Sequence, residues 1–119
     1  MKFKKNIHVA KWYCLDAIKR QIRRYPKKYS TPKYLKFCKE MLENGWKVKI
    51  YTAKVSKYVF IIKRDRVYKI RFSNHKPLFN KEEEEDCDYY VGISNKQMTT
   101  TEELIIKLCS NAKLERKKD

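Results

Sequence analysis

The stretch SKYVFIIKRDRVYKIRFSNH, Ser56 to His75, decides the fold. Tyr58, Phe60 and Ile62 alternate with Val59, Ile61 and Lys63, and beyond a charged tip Tyr68, Ile70 and Phe72 alternate with Lys69 and Arg71. A period of two is the mark of extended chain, and two such runs joined by a tight tip make a β-hairpin. For Tyr58, Phe60 and Ile62 to share a face with Tyr68, Ile70 and Phe72, opposite residue numbers must sum to an even number. That condition predicts a three-residue tip at Arg64, Asp65 and Arg66. One face of the hairpin then packs on helices, and the other carries Lys69 and Arg71.

Working outward, Trp46 to Ala53 reads as a first strand with Trp46, Val48, Ile50 and Thr52 on one face and Lys47, Lys49 and Tyr51 on the other. Its short link to the hairpin implies antiparallel neighbours. Tyr89 to Ile93 reads as a final strand. If the second face is open, Lys47, Lys49, Tyr51, Lys69 and Arg71 form a cationic platform with an aromatic ring, suited to phosphate contact and base stacking. The competing reading is ordinary alternation with lysines in water. Val59 and Ile61 would leave apolar surface bare on such a face unless a tail, a partner or another subunit covers it.

Before the sheet, Val9, Trp12, Tyr13, Ile18, Ile22 and Tyr25 recur near helical spacing and predict a helix from Ile7 or His8 to Tyr25, ended by Pro26. Thr31 and Pro32 predict the start of a second helix, with the threonine as cap and the proline in the first turn. Tyr34, Leu35, Cys38, Met41 and Leu42 form its apolar stripe, and Gly45 is its stop. After the last strand, Thr100 and Glu103 stand in capping-box relation ahead of LIIKLC and predict a helix from about Thr101 to Ser110. The expected class is α+β: two N-terminal helices, a three- to four-stranded antiparallel sheet centred on the 56–73 hairpin, and a C-terminal helix. Residues 1–110 make one domain, and 111–119 a polar charged tail.

Lysine and arginine number 30 against 14 acidic residues among 119, a formal charge of +16. That excess exceeds what solubility needs and points to a polyanionic partner. It is densest between Lys19 and Lys36, where Lys19, Arg20, Arg23, Arg24, Lys27, Lys28, Lys33 and Lys36 can form one patch across two neighbouring helices. The sign reverses late. Residues 1–81 hold 24 basic and 4 acidic residues, and residues 82–119 hold 6 and 10, the switch falling at KEEEEDCD, Lys81 to Asp88. Such a block is ordinarily a solvated loop. Its rival roles are a cover over the basic face, a divalent-ion contact or a mimic of phosphate charge. Our expectation is that it tunes where polyanions bind and takes no part in catalysis.

No run reaches the length of a membrane span, and MKFKKNIHVAKW lacks a signal-peptide core, so a cytoplasmic protein is expected. Cys14, Cys38, Cys87 and Cys109 are scattered without a C-x-x-C pair and read as free thiols. His8 and His75 are the two histidines. His75, at the hairpin exit beside Ser73 and Asn74, is a candidate functional side chain, with turn formation as the structural alternative. Two glycines cannot build a phosphate loop, and the carboxylates show no convergent metal-binding spacing. No enzyme activity, cofactor or metal is expected. A metal-dependent nuclease using the 82–88 carboxylates is the enzymatic alternative.

The run from Lys57 to His75 resembles a pattern in small proteins of bacteriophages and other mobile elements, in which the second strand ends I-R-hydrophobic-S-D-H. Ile70, Arg71, Phe72, Ser73 and His75 match, and Asn74 replaces the usual acid. The resemblance covers about one sixth of the chain. It implies a viral or mobile-element protein that binds nucleic acid or disables a host defence nuclease, as anti-CRISPR proteins do. Two functional expectations follow. One is a basic protein that contacts DNA or RNA through the phosphate backbone. The other is an inhibitor that binds a host nuclease or nucleoprotein. Oligomeric state is left open.

Overall fold

The computed structural model describes residues 6–25, 31–53, 56–74 and 86–94. In chain order these form α1 (Asn6–Val9), β1 (Lys11–Tyr13), α2 (Leu15–Ile22), α3 (Lys33–Glu43), β2 (Lys47–Thr52), β3 (Ser56–Lys63), β4 (Arg66–Ser73) and β5 (Tyr89–Ser94). The class is α+β. A five-stranded sheet runs in the order β1-β2-β3-β4-β5, antiparallel up to β4 and parallel between β4 and β5. The sheet is therefore mixed and five-stranded, where three to four antiparallel strands were expected. Residues 74–88 separate β4 from β5, a length that suits a parallel crossover and is too great for a tight hairpin.

The expected first helix is broken. Cys14 is extended, at φ −102° and ψ 166°, and the three residues before it add an edge strand, with Lys11 opposite Ile50, Trp12 opposite Lys49 and Tyr13 opposite Val48. Adjacent aromatic side chains favour this outcome because a strand sends Trp12 and Tyr13 to opposite faces. Of the side chains that a continuous helix would have turned to the sheet, Tyr13, Ile18 and Ile22 do pack on the core, whereas Val9, Trp12 and Tyr25 are exposed.

The hairpin lies where expected, but its register differs by one. Lys63 pairs with Arg66, Val59 with Ile70 and Ser56 with Ser73, so the tip is the two residues Arg64 and Asp65. Val59 and Ile61 thereby join Tyr68, Ile70 and Phe72 on the helix-packed face, and Tyr58, Phe60 and Ile62 join Val67, Lys69 and Arg71 on the other. Val59, Phe60 and Ile61 are all buried, so β3 is apolar on both faces and its alternation does not choose between registers. The choice comes from β2, whose Val48 and Ile50 stand opposite Ile61 and Val59. With its partner on β4, this row forms one apolar layer under Ile18 of α2 and Leu35, Cys38 and Met41 of α3, completed by Val91 and Ile93 of β5.

Arg64 is the single non-glycine residue with positive φ among the described residues, at 60°. Positive φ at the first tip position alone fits a type II′ turn, where glycine is favoured and an L side chain is strained. Arg64→Gly is expected to raise stability by about 0.5–1 kcal/mol, read as a higher urea midpoint at unchanged slope. A lower midpoint would reject the strained-tip assignment.

α3 departs by one residue at its start and agrees at its end. Pro32 is the N-cap, at φ −57° and ψ 144°, and its carbonyl accepts from Leu35 N at 3.1 Å; no side chain caps this terminus. Thr31 is buried and does not serve as the cap. At the other end Gly45 has φ +88°, with Gly45 N donating to Leu42 O at 3.1 Å and Trp46 N to Met41 O at 3.0 Å. Those two bonds are the Schellman closure. The expected C-terminal helix, the charged tail, Lys27, Lys28, His75 and Glu82 to Glu85 lie outside the described residues.

Candidate nucleic-acid interface

The second face of the sheet is closed over β4. Lys69 and Asp86 form an ion pair at 3.0 Å with side chains only 1% and 3% exposed. The other carboxylate oxygen, Asp86 Oδ2, accepts from the Ile7 amide at 3.1 Å, and Lys49 Nζ donates to the Ile7 carbonyl at 3.1 Å. Asp86 thus holds α1 and β4 at once, and Lys49 ties β2 to the same turn. Rings of Tyr58, Phe60 and Tyr90 surround the Lys69 ammonium at 5.0, 5.8 and 5.4 Å. Arg71 is buried as well. The open platform of Lys47, Lys49, Tyr51, Lys69 and Arg71 is therefore corrected: an ammonium on a middle strand, flanked by rings, finds its counterion within the chain. Lys47 remains exposed, and Lys49 and Tyr51 are half-buried.

The 82–88 block contributes two internal anchors. Asp86 is the buried counterion, and Asp88 brackets Val67, accepting from its amide and donating to its carbonyl, both at 2.8 Å. Arg66 then donates to the Tyr89 hydroxyl at 2.7 Å, fixing the start of β5. Of the rival roles, cover over the basic face describes Asp86.

The basic helices meet at one end of the molecule. α2 and α3 pack on each other. Tyr25, just past α2, and Tyr13 of β1 lie close enough to Tyr34 of α3 to help burial push its phenol up to about 12. Arg20, Arg23 and Arg24 are exposed at the end of α2, Lys19 is half-buried, and Lys33 and exposed Lys36 occupy the first turn of α3. Lys57 reaches this end too, its ammonium 5.2 Å from the Tyr34 ring and donating to Thr52 Oγ1 at 2.9 Å. Lys57 falls on the helix side only in the two-residue-tip register, so strand alternation alone does not place it in the patch.

Two halves of this patch differ in meaning. Cations at the C-terminus of α2 suit the helix dipole and need no further role. Lysines in the first turn of α3 oppose it, and no acidic residue stands there. Burial, and then the nearby Lys36 charge, push the Lys33 ammonium below its ordinary value. Among the described residues, no ion pair engages Arg20, Arg23, Arg24 or Lys36.

Cys14 is exposed, Cys87 half-buried and Cys38 buried, no two of them joined in a disulfide, and burial pushes the Cys38 thiol up. Among the described residues no three His, Cys, Asp or Glu side chains gather as a metal site, and no helix is long and apolar enough to cross a membrane. No protein-family model, curated protein or solved structure matches the chain.

Proposed function

We propose that this is a small basic protein that binds nucleic acid through the phosphate backbone, without catalysis, using the α2–α3 end. The carrying observation is the crowding of Lys33 and Lys36 in the first turn of α3, which packs on the helix that carries exposed Arg20, Arg23 and Arg24 at its end, an arrangement that costs α3 stability and that an anion relieves. Lys57 adds to the same end. Exposed cations at two helix ends, with no groove-reading motif in the sequence, favour phosphate contact over base readout. DNA and RNA share that chemistry.

Labelled duplex DNA and structured RNA titrated at several salt concentrations test the reading. Binding should weaken linearly in log–log form, with a slope of about 0.9 for each duplex phosphate neutralised. Absence of binding to both at low salt would overturn it. Capture of one stoichiometric host protein that survives nuclease treatment would instead support the inhibitor role.

A further inference from the structure

Trp12 belongs neither to the core nor to the α2–α3 patch. Its residue is 59% exposed, the most exposed large apolar side chain among the described residues, although tryptophan is ordinarily well covered. Pairing opposite Lys49 sets it on the second sheet face, on the edge strand β1. The Lys49 ammonium lies 4.6 Å from the centre of the indole ring and is itself fixed to the Ile7 carbonyl at 3.1 Å. Tyr13, the next residue, packs on the core and holds the strand down. The indole is therefore held by an anchored cation and by a paired strand, yet much of it faces water. Exposed Lys47 stands on the same face of β2, roughly 7 Å along the strand from Lys49.

We propose that Trp12 is a stacking site for an unpaired nucleobase, with Lys47 and Lys49 taking the adjoining phosphates. This rests on the nucleic-acid reading above and adds to it a preference for single strands. Every base offers a π-face, so an exposed ring between cations binds single strands with little regard to sequence. Bases inside a duplex are stacked on one another and present no free face. A second copy is a poor occupant, because a symmetric contact at Trp12 would bring together Lys47 and Lys49 from two chains of formal charge +16.

The test uses the full chain carrying Trp46→Phe, which leaves Trp12 as its only tryptophan. Homopolymeric thymidine and uridine decamers, and a blunt duplex of the same length, are titrated at low salt by tryptophan fluorescence and by anisotropy of a labelled strand. Both single strands should quench Trp12, and the duplex should leave it nearly unchanged. Trp12→Ala should weaken single-strand binding roughly tenfold and duplex binding less than twofold, with Trp12→Phe retaining most of the affinity. A preference for one decamer would identify whether DNA or RNA is taken. Equal losses on single strand and duplex, or no loss on either, would overturn the stacking site while leaving phosphate binding intact. Failure of the parent to bind any of the three would remove the nucleic-acid reading and the stacking site together. A parent dimer that Trp12→Ala converts to monomer would assign the ring to self-association and also overturn the proposal.

Discussion

Asp86→Ala should destabilise the protein by about 3–5 kcal/mol, the cost of breaking the buried ion pair with Lys69 from one side. Small domains are held by only about 5–15 kcal/mol in all, so the variant should be largely unfolded at a temperature where the parent is folded. The same substitution leaves the Ile7 amide without its acceptor and so loosens α1 together with β4. A double variant, Lys69→Met with Asp86→Leu, should recover most of the loss, because two apolar side chains of similar volume remove both charges from the interior. Denaturant unfolding of the three proteins decides the matter. A loss below about 1 kcal/mol in Asp86→Ala would show that water reaches the pair and that the second sheet face is open.

How far the chain pattern foretold this arrangement differs from element to element. α3 was legible through its apolar stripe and Gly45, because a helix with one buried face leaves a period that only a helix explains. β2 was legible for the same reason in period two. β3 was located but not registered: Val59, Phe60 and Ile61 are all buried, and a strand covered on both sides carries no alternation to align. The break in the first helix was hidden because Val9, Trp12 and Tyr13 fit helical spacing by number. Only pairing with β2 shows that Trp12 and Tyr13 part to opposite faces.

The candidate site divides in the same way. Exposed charge at the α2–α3 end follows from local helix geometry and was readable from Lys19 to Lys36. The fate of Lys69 was not, since its partner Asp86 lies 17 residues away across a crossover. A cation in an alternating strand looks the same in sequence whether it meets water or a buried carboxylate. Trp12 and Lys57 were missed because both depend on strand register.

Replacing Arg20, Arg23 and Arg24 by alanine is expected to lower the salt slope of duplex binding by about 2.7, three phosphates at about 0.9 each. All three are exposed, so folding should be nearly unaffected. Adding Lys36→Ala should lower the slope by roughly one further phosphate. An unchanged slope in the triple variant would move the phosphate site away from α2.

The account turns on where a polyanion meets the protein, at the α2–α3 end or on the β4 face that Asp86 closes. Backbone amide shifts of the isotope-labelled chain, followed during titration with a short duplex, measure this directly. The largest changes are predicted at residues 19–24 and 33–36, with Lys69 and Arg71 unmoved. Changes centred on Lys69 and Arg71, with the helix ends silent, would contradict it.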